Sequence, residues 1–71
     1  MKEKLIKYWE RKERYIMNAT RREEKQIHLS QAFGGLSLAM MLCGEDFKKA
    51  DELADLWNYE WRERLEEEVY L

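Results

Sequence analysis

Cysteine and histidine occur once each in this chain, glycine three times and proline not at all. The lone Cys43 cannot close an internal disulfide, which excludes the secreted cystine scaffolds and points to a reducing, cytoplasmic setting. Cys43 and His28 together fall short of the ligand set of a structural zinc site. No segment alternates polar and apolar residues with a period of two, and no Asn-Gly pair marks a hairpin, so strands are not expected. A long hydrophobic run is also missing. The one apolar stretch, Ala32 to Cys43, holds 12 residues; as a helix it rises roughly 18 Å, against a hydrocarbon core of about 30 Å. It reads as a buried core helix, and no membrane association is expected. The densely charged residues 1–28 leave no apolar region for a signal peptide. Without a secretory signal, the sequon Asn18-Ala19-Thr20 has no physical consequence.

What is present fits one small domain. In a chain of 71 residues, 45% hydrophobic and 39% charged, folding buries only about 60% of the surface exposed when unfolded, so a solitary core is marginal. Three Trp, four Tyr and two Phe still supply enough apolar area to exclude disorder. The net charge of −2 conceals a strong asymmetry. Residues 1–25 carry nine Lys/Arg against five Glu, a net of +4; residues 26–44 carry no charge; residues 45–71 carry ten acids against four bases, a net of −6. The order is basic, apolar, acidic, which suggests three structural elements.

The periodicity predicts helices over about 3–18, 21–43 and 46–69. In the first, Leu5, Tyr8/Trp9 and Tyr15/Ile16 recur at helical spacing, with Lys12 interrupting the apolar face. A break near residues 18–20 is expected, with Asn18 in a left-handed conformation and Thr20-Arg21-Arg22-Glu23 forming a capping box. One helix continuing past residue 27 is the alternative, because Arg21 and Arg22 sit badly at the positive end of a helix dipole. In the second helix Leu29, Ala32/Phe33, Leu36, Ala39/Met40 and Cys43 trace one face, and Leu38, Met41 and Leu42 extend apolar character around the rest, so burial on nearly all sides is expected. Gly34-Gly35 either ends that helix or forms a smooth patch where another backbone comes close. Gly44 is a stop, and Glu45-Asp46 suit a new N-terminus. Phe47, Ala50, Leu53/Ala54, Leu56/Trp57, Trp61 and Leu65 give the third helix a broad stripe, with Trp57 and Trp61 one turn apart and stacked on the same side. Short connections favour an all-α, up-down-up three-helix bundle; a long helical hairpin dimerising into a four-helix bundle is the alternative.

Catalytic constellations do not assemble. His28 and Cys43 lie 15 residues apart, about 22 Å along a helix, with no oxyanion loop near them. Glu24 and His28 share a helical face but lack the further inward carboxylates of a bundle metal site. Asp51, Glu52 and Asp55 lack the glycine and alternating ligands of a calcium loop. No enzyme activity, metal or cofactor is therefore expected. Nine aromatics and an apolar second helix together exceed what one narrow core needs, which favours a homodimer or another protein partner. The expected role is a non-catalytic interaction module, an adaptor, assembly element or regulator, whose apolar seam is Trp9, Phe47, Trp57 and Trp61 with the second helix at its centre. The competing reading is a nucleic-acid-associated regulator using Arg11, Lys12, Arg14, Arg21 and Arg22, weakened by the interleaved Glu10, Glu13, Glu23 and Glu24.

Overall fold

The computed structural model describes residues 1–71 and is all-α. Helix α1 spans Lys2–Asn18, α2 Arg22–Leu42 and α3 Phe47–Leu56; a π-helical turn, Trp57–Trp61, joins α3 to α4, Arg62–Tyr70. The molecule measures 40 × 18 × 17 Å.

The first break falls where the sequence places it, but by a different device. Asn18 is the last residue of α1, Ala19 is extended (φ −72°, ψ 141°), and no residue other than glycine takes a positive φ. The N-cap of α2 is Arg21, with no side-chain cap bond, so the Thr20–Glu23 box does not form. Glu23 and Glu24 in the first turn answer the dipole that Arg21 and Arg22 oppose. Because the chain is non-helical between Asn18 and Arg22, the single long first helix of the alternative hairpin does not form.

Helix α2 runs unbroken through Gly34-Gly35. A Cβ at Gly35 would stand 2.7 Å from Tyr8 Cε2 and 2.9 Å from its Cδ2, so that glycine is where the α1 side chain lies against the α2 backbone. A Cβ at Gly34 would meet nothing within 4 Å. Gly44 closes α2 with φ +62°, the left-handed conformation for which glycine is suited. Asp46 then caps α3, its Oδ1 accepting from the Lys49 N–H at 3.1 Å.

The π turn follows from a spacing. Leu53, Trp57, Trp61, Leu65 and Val69 are all buried and recur strictly every fourth residue. At about 100° per residue an α-helix advances such a row by about 40° each step, or roughly 160° over the series. One widened turn, with its extra residue, takes back about 100° and keeps the row facing one way.

Side-chain contacts fix how the elements meet. Tyr15 lies against His28, Lys12 reaches Gln31, and Tyr8 approaches Gly35, so α1 and α2 run in opposite directions. Phe33 meets Trp57 and Lys25 bonds the Glu68 carbonyl, so α2 also opposes the rod formed by α3 and α4. All twelve buried residues are apolar. Burial of α2 on nearly all sides does not occur: Ala32, Leu36 and Ala39 face inward, whereas Ile27, Phe33, Leu38, Met41 and Leu42 are exposed. Two packed neighbours cover only part of a helix circumference, and the opposite face is left over.

Candidate interaction surface

Three of the four residues expected in the apolar seam meet inside the monomer. Trp9 is fully buried, its ring centroid 5.2 Å from that of Trp57 and 5.8 Å from that of Trp61, both tilted. Trp57 and Trp61 share a side, as their spacing implies, but pack around Trp9 rather than on each other. The Trp9 indole N–H donates to the Ala32 carbonyl at 2.9 Å, which satisfies the one polar atom this aromatic cluster buries on α1. No groove lined by these three rings opens to solvent. Phe47, the fourth, stands 72% exposed at the start of α3, because the stripe that buries Ala50, Leu53 and Trp57 begins beyond it.

The charged helices meet through one ion pair whose signs are the reverse of the bulk pattern. Arg64, from the acidic rod, makes a bidentate contact with Glu13, from the basic helix, at 2.5 and 2.6 Å. Its guanidinium also lies 4.6 Å over the Trp61 ring. The hydrogen bond to Glu13 holds the Arg64 pKa above its ordinary value; burial opposes the rise, and the charges of Glu13, Glu10 and Glu68 add to it. Lys12, the interruption of the α1 apolar face, lies 5.3 Å from both the Tyr8 and Tyr15 ring centroids and donates to Gln31 Oε1. It is thus engaged within the fold. Arg11, Arg14, Arg21 and Arg22 are exposed, the first pair on α1 and the second at the entry to α2.

The largest feature left uncovered is the outer face of α2. Ile27, Leu38, Met41 and Leu42 are each more than half exposed. At about 100° per residue they share one side with Ser30, Gln31 and Gly34. No charged residue occurs between positions 26 and 44, so the face is neutral as well as apolar. It continues into a groove of about 800 Å³ against α1, lined among others by Leu5, Tyr8, Gly34, Leu38 and Leu42. The sequence reading places Leu38, Met41 and Leu42 on a helix expected to be buried on nearly all sides and at the centre of the seam, and does not single out Ile27. The missing signal is that α2 is apolar all round while only two elements pack on it.

The remaining residues of chemical interest stay apart. His28 lies within α2 and Cys43 caps its C-terminal end, about 22 Å further along the unbroken helix. His28 packs on Tyr15 with its Nδ1 buried and unbonded, and the Cys43 thiol donates to the Ala39 carbonyl at 3.3 Å. No group of three or more His, Cys, Asp or Glu side chains is placed to hold a metal ion, and no helix is long and apolar enough to cross a membrane. Comparison with protein families, curated proteins and solved structures finds no match to this chain.

Proposed function

We propose that this chain is an up-down-up three-helix bundle that works by binding, as a homodimeric adaptor, assembly element or small regulator without catalytic activity. The observation that carries this reading is the outer face of α2, on which Ile27, Leu38, Met41 and Leu42 lie exposed on a helix with no charge between residues 26 and 44. A mid-chain helix that spends four large apolar side chains on solvent is unstable in proportion to their area, and burial against another surface recovers that loss. The tryptophans serve this role indirectly: by filling the interior they hold α2 in place while its far side stays free. Light scattering from low micromolar to near-millimolar concentration tests the reading. A concentration-dependent rise in mass toward twice the monomer is expected; a strict monomer with a cooperative melt defeats the homodimer.

A second reading, a nucleic-acid-associated regulator, draws support from the exposure of Arg11, Arg14, Arg21 and Arg22 and from the engagement of Glu13 by Arg64, which removes one acid that would repel phosphate. Binding of duplex or single-stranded nucleic acid at low ionic strength, weakening steeply as salt rises, is what it requires. No binding at low salt ends it.

A further inference from the structure

We infer that the second copy docks α2 against α2, with the two backbones closest at Gly34. This rests on the homodimeric reading above and specifies its contact. The chain has two glycines in the interior of α2, each costing about 1 kcal/mol relative to alanine in a helix. Gly35 is accounted for inside the monomer, since a Cβ there would strike Tyr8 at 2.7 Å. Gly34 is not: a Cβ there would meet nothing within 4 Å, and the residue sits at the middle of the exposed face with Ser30 one turn before it and Leu38 one turn after. A bare backbone flanked by small and then by large apolar side chains is the relief that two crossing helices need. The small positions admit the partner backbone at the crossing, and Ile27 and Met41, about two turns away on either side, fill the space where the helices diverge.

Charge selects a copy of this chain as the occupant. A two-fold interface brings each surface patch against itself. Self-contact through α1, with six Lys/Arg against three Glu, would oppose +3 to +3, and self-contact through the rod Phe47–Tyr70, with eight acids against four bases, would oppose −4 to −4. Between Gln26 and Gly44 the α2 face carries neither sign, so along that length self-contact meets no like-charge penalty. A partner recognised by its charge would find nothing on that face to pair with.

Gly34→Leu tests the contact, because the open space around Gly34 lets the variant monomer fold and leucine raises helix propensity. Leu38→Lys, at a side chain 59% exposed, is a second variant with a different chemistry. The measurements are sedimentation equilibrium for the dimer constant and far-UV circular dichroism for the fold. The expected result is a wild-type dimer, with both variants helical and dimerising at least about thirtyfold more weakly, the loss typical of a binding hot spot. A wild-type dimer that Gly34→Leu leaves as tight overturns the α2 contact while the homodimer stands. A wild-type monomer at every concentration overturns both.

Discussion

Trp9 donates its indole N–H to the main-chain carbonyl of Ala32, 23 residues away, and in doing so locks the centre of α1 to the centre of α2. The carbonyl belongs to a helix and already lies on the inward side of it, so the indole uses the second lone pair rather than competing with the helix ladder. Trp9→Phe keeps most of the apolar area and removes the donor, and should cost about 1–2 kcal/mol. Trp9→Ala leaves a void between Trp57 and Trp61 and should cost about 3–5 kcal/mol, comparable to the low end of the roughly 4–10 kcal/mol expected of a chain this size. Urea denaturation followed by circular dichroism distinguishes them: a shifted cooperative transition for the first, no native baseline for the second.

Gly35 and Tyr8 make a second, tighter relationship. A methyl at position 35 displaces the Tyr8 ring, which is held by its hydroxyl donating to the Gln31 carbonyl at 3.0 Å and by Lys12 beside its face. Overpacking of this kind costs about 1–3 kcal/mol and the gain in helix propensity returns about 1. Gly35→Ala should therefore lower the melting temperature by several degrees, although alanine is the better helix former. A rise in melting temperature would mean that the ring moves freely and that the contact does not hold α1 to α2.

How much of this was legible beforehand differs from element to element. The three helical segments and the stop at Gly44 follow from periodicity and a glycine. The end of α1 was placed correctly for the wrong reason, because Ala19 turns by adopting an extended conformation that no residue type announces. The roles of Trp9, Trp57 and Trp61 were ambiguous because a run of aromatics at helical spacing looks the same whether it fills a core or lines a groove; only the third dimension puts Trp9 between the other two. Phe47 reads as part of the same stripe, and only the structure shows that it stays exposed at the start of α3 while the three tryptophans are buried. The outer face of α2 is legible in part, since the sequence puts the second helix at the centre of the seam without saying which side of it stays uncovered. Its composition says that it needs covering on all sides, and only the packing shows how many neighbours there are to cover it.

Glu13 and Arg64 join the ends of two oppositely charged segments, yet the pair is modest. The Arg64 side chain is 55% exposed, so solvent screening limits the coupling to roughly 0–1 kcal/mol. A double-mutant cycle of Glu13→Gln and Arg64→Gln should return a coupling in that range that shrinks as salt is added. The pKa of Arg64 is raised in the folded state by its bond to Glu13. A raised base contributes stability that is fully present below its unfolded pKa and lost only as pH rises through the folded value. That window lies at the far alkaline end, so the coupling should be flat from neutral to mildly alkaline pH. A coupling that falls within that range would show that Arg64 is not the group that governs it.

The π turn yields the most direct test of how the third rod is built. If its only work is to absorb the drift of the four-residue row Leu53, Trp57, Trp61, Leu65 and Val69, then deleting one exposed residue from the turn should do the same work without it. Tyr59 is 84% exposed. Its deletion shortens the step from Trp57 to Trp61 to three residues and draws all five side chains within about 80° of one another on an ordinary α-helix. The deleted protein should stay folded, keep its tryptophan near-ultraviolet signal, and melt within a few degrees of the original. Deletion of the exposed Arg11 is the contrast, since α1 has no widened turn to remove. There Ile16, fully buried, rotates by about 100° away from the core, and the cooperative transition should be lost. If the Tyr59 deletion unfolds the chain as the Arg11 deletion does, the π turn holds something other than register, and the strict spacing of four is not its cause.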